Sequence, residues 1–142
     1  MGRVMTKLKV SNVVDCVGVA EGSLPQERVR SVEIDALVDT GATQLALPEE
    51  VVRAVGARIV GHTTARDARG VLVELPWVGA LRIEILGREM DCDALMLPEG
   101  ATPLIGQIPL ERLDLIVDPK SRDLRVNPAS PDVPLLDLMA VA

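Results

Sequence analysis

The chain has 142 residues with 15 basic and 21 acidic side chains, which gives a formal net charge of −6 at pH 7. This length fits one domain and excludes two catalytic domains in tandem. The acidic balance argues against nucleic-acid binding, because phosphate contacts need clustered Lys and Arg side chains. One Trp with no Phe or Tyr leaves aliphatic side chains to build the core.

Few residues are suited to metal binding or to membrane insertion. Cys16 and Cys92 form no Cys-x-x-Cys pair, and His62 is the only histidine, so the usual zinc-site spacing is missing. No stretch approaches the roughly 18 uninterrupted apolar residues of a membrane span. Residues 1–3 lead into no apolar segment typical of a signal peptide. We therefore expect no metal, no membrane span, and a cytoplasmic protein with reduced thiols.

Segments rich in β-branched residues predict short strands along most of the chain. Residues 32–38 alternate acidic and apolar side chains, which is the period of a half-buried strand. The other predicted strands are residues 13–19, 71–75, 81–86 and 113–118. Two short segments favour helices: residues 48–55, which end before Gly56, and residues 109–112. Many short strands without βαβ spacing predict an all-β barrel or sandwich.

A weak internal repeat runs through these predicted elements. The tripeptide at residues 35–37 recurs at 93–95, and the tripeptide at 41–43 recurs at 100–102. Taken as a duplication, the repeated unit is a strand, a Gly-containing turn and a short helix. Matches this short also arise by coincidence, so the repeat alone leaves both explanations open.

The chain changes character after Asn127. Three prolines between positions 128 and 134 predict an extended segment, and the apolar run 135–142 follows it. We expect residues 1–127 to form the domain and residues 128–142 to form a Pro-rich apolar tail. Such a tail should pack either on its own barrel or on a neighbouring molecule.

The most informative stretch is residues 36–43, where an apolar strand ends at Asp39 and a Thr40-Gly41 turn follows at once. A strand end can hold a carboxylate rigidly, and glycine permits a close approach of backbone or substrate. The same residue types also favour ordinary surface turns. The motif by itself therefore leaves both a catalytic and a plain turn interpretation open.

The wider context resembles a known family. Residues 37–42, Leu-Val-Asp-Thr-Gly-Ala, resemble the active-site signature of retropepsin-like aspartic proteases. Residues 103–106, Pro-Leu-Ile-Gly, resemble the second landmark of that family, which runs beneath the active-site loop. The resemblance covers residues 32–126 and implies a closed acid-protease barrel with one or two short helices. The internal repeat is consistent with the pseudo-twofold of that fold.

The resemblance also implies a role for each matching residue. Asp39 would be the catalytic carboxylate. Three residues would support the active-site loop: Thr40, which would hydrogen-bond across to the loop of a second copy, Gly41, whose carbonyl would contact substrate, and Ala42, which would line the pocket. Three residues would form the floor beneath that loop: Leu104, Ile105 and Gly106.

A flap hairpin is expected between the two landmarks, within residues 59–77. Four residues on it would contact substrate: Thr63, Thr64, Ala65 and Arg66. The viral flap has a glycine-rich tip, whereas this tip carries only Gly70. The sequence therefore does not decide whether this hairpin is mobile. Trp77 is more simply interpreted as a residue that packs on the barrel than as a surface that contacts substrate.

Hydrolysis of a peptide bond without a metal or a covalent nucleophile needs two carboxylates. One acts as a base towards the attacking water, and the other supplies a proton. Close carboxylates share one proton, because both cannot ionise together. The chain holds a single Asp-Thr-Gly, so the second carboxylate must come from another copy, with Asp39 of each subunit at a twofold axis.

The sequence therefore predicts a homodimeric aspartic endopeptidase that uses no cofactor and cleaves extended polypeptides. Its partners would be a second copy of itself and a polypeptide substrate. The alternative is a peptide-binding or regulatory dimer of the same fold with little or no general proteolytic activity. The intact Asp39 motif favours the enzyme, because a pure binding protein has no need of a carboxylate at the axis.

Overall fold

The computed structural model describes residues 3–138. In chain order the elements are β1 (Met5–Asn12), α1 (Val13–Ala20), a 3-10 turn (Gln26–Arg28), β2 (Ser31–Val38), β3 (Ala46–Pro48), α2 (Glu49–Ala54), β4 (Arg58–Arg66), β5 (Leu72–Ile85), β6 (Arg88–Leu97), β7 (Leu104–Ile105), α3 (Gln107–Leu113), β8 (Leu115–Asp118) and β9 (Asp123–Val126). Residues 1–2 and the end of the predicted apolar tail, residues 139–142, lie outside the described residues. No helix within residues 3–138 is long and apolar enough to cross a membrane.

Six strands close into a barrel. They follow the order β1-β2-β7-β3-β6-β5, and β1 pairs with β5 as well as with β2, which completes the ring. β4 extends the sheet beyond β5 as one arm of a hairpin, and β8 pairs with β9 in a separate two-stranded sheet. The predicted all-β barrel with few short helices is confirmed.

The internal repeat of the sequence corresponds to a repeat in strand pairing. β2 pairs in parallel with β7 through Leu37 and Leu104, and β3 pairs in parallel with β6 through Ala46 and Leu95. Leu95 follows Leu37 by 58 positions, and Leu104 follows Ala46 by the same 58 positions. The second pair therefore repeats the first, which favours a duplication and gives the barrel an internal pseudo-twofold.

Aliphatic side chains fill the interior, as the composition requires. Leu8 and Val10 of β1 pack inside the barrel with Leu81 and Ile83 of β5, and all four are fully buried. Burying a side chain of this kind stabilises the fold by about 1.5–3 kcal/mol. Closure of the ring brings these two strands together and thereby forms much of the core.

One predicted strand is wrong, because residues 13–19 form helix α1. The side chain of Asn12 caps this helix by accepting a hydrogen bond from the N–H of Asp15 at 3.1 Å. The amide of Asn12 also donates to the carbonyl of Val55 at 2.9 Å. Asp15 is buried and accepts two hydrogen bonds from the guanidinium of Arg30. These polar contacts outweigh the β-propensity of the valines.

The other predicted elements are present with different ends. Residues 71–75 and 81–86 belong largely to one long strand, β5, and the two predicted helices are α2 and α3. The last predicted strand begins only at Leu115, because Asp114 adopts a left-handed conformation with φ of 54° and ends α3. Five strands were not predicted: β1, β3, β6, β7 and β9.

Two charged residues hold the chain after β9 against the barrel. Arg88 is only 6% exposed and donates to the carbonyl of Ser130. Asp114 accepts hydrogen bonds from Ser130 Oγ, from Asn127 Nδ2 and from the N–H of Leu135. Hydrogen bonds thus tie the tail to its own domain as far as Leu135, although Leu135 itself is 66% exposed. The domain boundary at residue 127 stays a prediction.

Candidate active site

Asp39 directly follows β2 at one end of the barrel. Its backbone N–H donates to the carbonyl of Ile105 in β7 at 3.0 Å, which continues the pairing of the two strands by one residue. Ile105 itself is fully buried. The half-buried carboxylate of Asp39 therefore projects from backbone that the core holds in place.

The loop after β2 closes on Asp39. The N–H of Gly41 donates to Asp39 Oδ1 at 3.0 Å, and the N–H of Ala42 donates to the Asp39 carbonyl at 3.1 Å. A Cβ at position 41 would lie 3.2 Å from Asp39 Oδ1, so glycine gives the carboxylate room to receive this bond. Thr40 is exposed at the surface of the loop.

Residues 104–106 pack directly under the active-site loop. A Cβ on Gly106 would lie 2.5 Å from the carbonyl oxygen of Gln44 and 2.6 Å from its nitrogen, so only glycine permits this approach. The N–H of Gln107 donates to the carbonyl of Ala42 at 2.8 Å. The structure thus brings the floor (Leu104, Ile105 and Gly106) and the loop together, and their functional roles stay predictions.

β4 and β5 form a hairpin that carries the four expected flap residues. Thr63, Thr64, Ala65 and Arg66 all lie on β4 and pair with β5, with Thr64 and Arg66 on its exposed face. The placement fits a hairpin that could cover a bound peptide. Contact of these four residues with a substrate stays a prediction.

The hairpin tip is ordered by side-chain hydrogen bonds. Asp67 Oδ1 accepts from the N–H groups of Arg69 and Val71, each at 2.9 Å. The hydrogen bonds from the Arg69 side chain and the Val71 N–H hold the pKa of Asp67 below its usual value. A bonded aspartate therefore stabilises this tip, where the viral flap has glycines.

An open cavity of about 390 Å³ lies beside the active-site loop and was not predicted. Its lining residues come from the loop and from strands β4, β5 and β6: Gln44, Val60, Trp77, Cys92 and Asp93. Trp77, interpreted above as barrel packing, is half-buried and faces this space. The only sequence signal for the cavity was the repeated tripeptide that contains Asp93.

Across residues 3–138, no group of three or more His, Cys, Asp or Glu side chains is arranged to hold a metal ion. The Asp39 carboxylate is held by the backbone N–H of Gly41, which suits proton transfer.

The family follows from comparison with known proteins. The chain matches the family model "gag-polyprotein putative aspartyl protease" over residues 26–112, more than half of its length. The chain belongs to this aspartyl protease family. The resemblance of the Asp39 motif to retropepsin-like proteases is thereby confirmed.

The fold of this aspartyl protease family member agrees with that assignment. EIAV protease complexed with the inhibitor HBY-793 is 17% identical, with a TM-score of 0.56 over 78% of this chain and 86% of that chain. Identity this low shows similarity of fold alone. No curated protein sequence matches the chain.

Proposed function

We propose that this protease-family chain is an aspartic endopeptidase that acts as a homodimer, with Asp39 of each subunit at the twofold axis. One observation carries the proposal: Asp39 is a carboxylate held rigidly at a strand end by Ile105 and Gly41, in the only Asp-Thr-Gly of the chain. Because uncatalysed water is a poor nucleophile, hydrolysis needs both a base and an acid at this place.

The two carboxylates would divide the proton transfers between them. The ionised Asp39 takes a proton from the water as the water oxygen attacks the peptide carbonyl carbon. The protonated Asp39 of the other subunit gives its proton to the carbonyl oxygen. When the resulting tetrahedral intermediate collapses, the second Asp39, now ionised, takes a proton from one hydroxyl group of the intermediate. The C–N bond breaks, and the first Asp39 passes the proton it took from water to the amine nitrogen. The Gly41 N–H orients each carboxylate throughout.

Exposed side chains near the active-site loop and on the β8–β9 sheet support association with a second copy of the chain. Thr40 is exposed, and Ile108, at the start of α3 next to the floor, is 47% exposed despite being apolar. Ile116 on the separate β8–β9 sheet is 40% exposed. Covering such apolar side chains would favour association, against a modest repulsion between two chains of net charge −6.

The substrate would be an extended polypeptide that lies between the β4–β5 hairpin and the active-site loop. An extended chain can bind there mainly through main-chain hydrogen bonds, with side chains in flanking pockets. The exposed Thr64 and Arg66 of β4 support the hairpin as the covering element.

The cytoplasmic location stays a prediction, which cell fractionation would test.

The proposal is tested by comparing wild type with Asp39→Asn on an unfolded protein substrate from acid to neutral pH. We expect the variant to lose at least about 1,000-fold in peptidase activity, because the dyad loses the group that accepts the water proton. Asp35→Asn is the matched control, since Asp35 lies on the same strand in a surface ion pair with Lys7. Loss of the surface ion pair in Asp35→Asn should leave peptidase activity unchanged.

The outcomes separate the enzyme from its alternative. Inhibition of the wild type by pepstatin-type compounds would add support. Equal activity in wild type and Asp39→Asn would point to a contaminant and reject Asp39 as the catalytic residue. A dimer without activity in any preparation would favour the regulatory alternative.

A further inference from the structure

The cavity beside the active-site loop is coupled to Asp39 through the protein backbone. Gln44, which lines the cavity, has its backbone wedged against Gly106. Gly106 directly follows Ile105, whose carbonyl binds the N–H of Asp39. The cavity is therefore fixed relative to the candidate catalytic carboxylate by a short and rigid path.

Only one lining residue of this cavity carries a formal charge. Burial, with smaller effects of Asp93 and Asp91, raises the pKa of the Cys92 thiol to about 12, so this thiol stays neutral. Asp93 is an exposed carboxylate. In its present orientation it occupies the space beside the Cα of Gly79 that a Cβ would need. Glycine at that position thus leaves space for the carboxylate at the cavity wall.

Asp93 forms no ion pair among residues 3–138, although the charge of Arg112 acts on the neighbouring Cys92. The neighbouring Asp91 pairs with Arg82 at 2.7 Å, but the ion pairs found among residues 3–138 do not include Asp93. An exposed carboxylate without an ion-pair partner can attract a positive group, with a strength reduced by the surrounding water. The cavity thus presents unused negative charge.

The other lining groups suit the same kind of ligand. Trp77 is the only Trp of the chain, which has no Phe or Tyr, and it lines the cavity together with Asp93. An aromatic face attracts ammonium and guanidinium groups. The side-chain carbonyl of Gln44 is an additional acceptor for their N–H donors. A carboxylate, an indole ring and an amide oxygen around one space form a typical environment for a Lys or Arg side chain.

We propose that this cavity is a substrate subsite that selects a basic side chain, Arg or Lys, at one position near the scissile bond. The proposal rests on the proposed function and adds its specificity. The cavity, at about 390 Å³, is in the size range of ordinary ligand pockets and holds a long side chain. Asp93 and Trp77 are the specificity-determining residues.

The test uses the single Trp as its own reporter. Full-length protein carrying Asp39→Asn is titrated with peptides that contain one Arg, moved through each position in turn, and the fluorescence of Trp77 is followed. Matched peptides carry citrulline, which has nearly the shape of Arg but no charge. At one position we expect the Arg peptide to bind about tenfold more tightly than its citrulline partner, with a shift in Trp77 emission.

Variants at the cavity assign this preference to Asp93. Asp93→Asn keeps the shape of the side chain and should reduce the Arg-to-citrulline ratio to about one, since the charge is gone. Gln44→Ala provides a second variant with a smaller loss, in case Asp93→Asn fails to fold. Glu89→Gln is the matched control, because Glu89 is exposed on the same strand and lies outside this cavity. It should keep the full ratio.

The results distinguish this inference from the proposed function. Equal affinity for Arg and citrulline peptides at every position overturns the subsite, as does an Arg preference that Asp93→Asn leaves unchanged. Absence of any peptide binding also overturns it. Cleavage by the wild type without an Arg preference rejects the subsite and keeps the enzyme. Arg-selective binding to Asp39→Asn, with no cleavage by the wild type, keeps the subsite and rejects the enzyme.

Discussion

Gly106 is the residue at which the floor strand and the active-site loop come closest. The backbone of Gln44 occupies the space that a Cβ at position 106 would need. Because Ile105 and Gln107 on either side hold Asp39 and Ala42 by hydrogen bonds, a shift at Gly106 would move the whole loop. The geometry of the carboxylate thus depends on the absence of one methyl group.

We expect Gly106→Ala to lower the free energy of unfolding by about 1–3 kcal/mol, because the added methyl overpacks this contact. Peptidase activity should fall by about 100-fold, since small displacements of catalytic groups are costly. Chemical denaturation and kinetic assays measure the two effects. Gly61→Ala is the control for stability, because its Cβ would lie 3.9 Å from Trp77 Cδ1, an ordinary contact. Wild-type activity in Gly106→Ala would show that the loop does not depend on this approach.

At the level of single residues, the sequence could indicate the loop and its floor but not the cavity. Asp39, Gly41 and Gly106 lie in short motifs in which neighbouring positions determine the geometry. Asp93 and Gln44 line the same cavity from parts of the chain that are distant in sequence, and Asp93 lies there beside Gly79. Short sequence motifs therefore could not predict this cavity.

Among the elements, β2 was predictable from the sequence and the first helix was not. Alternation along β2 reflects one buried face, which is a local property that composition reveals. In α1, by contrast, Asn12 and Asp15 find partners in Val55 and Arg30, which are far away in sequence. Valine-rich composition favours a strand when such partners are unknown, so residues 13–19 were assigned to the wrong class.

The segment after β9 depends on Asp114 and should detach in acid. Hydrogen bonds from Ser130, from the N–H of Leu135 and from Asn127 hold the pKa of Asp114 below its usual value. A folded pKa lower than the unfolded value, about 3.9, means that this stabilisation is complete well above pH 4. It is lost as the pH falls through the lower folded pKa.

We therefore expect the amide proton signal of Leu135 in NMR spectra to stay constant from pH 7 to pH 5. It should then move upfield with a midpoint below the usual carboxyl range, as its hydrogen bond breaks. In Asp114→Asn the amide should already lie upfield at pH 7 and show no such transition. A midpoint at or above 3.9 in the wild type would contradict the assigned role of Asp114.

For the whole molecule, one chain supplies half of the proposed site, so activity should depend on which copies associate. Adding a roughly tenfold excess of Asp39→Asn protein to a fixed amount of wild type would place most wild-type chains in mixed dimers. Activity should then fall to about a tenth of its starting value once subunits have exchanged. An equal excess of an inert acidic protein is the control. Unchanged activity would mean that each chain acts alone.

The seam between β1 and β5 has a consequence for how the chain reaches its fold. The seam pairs Val10 with Ile83 and Asn12 with Leu81, and partners roughly 70 positions apart meet late because loop-closure entropy opposes them. During synthesis, β1 cannot pair with β5 until β5 has left the ribosome. Until then Leu8 and Val10 remain in contact with water. Folding is therefore slower than in proteins with local contacts, and newly made chains are most prone to aggregate in this interval.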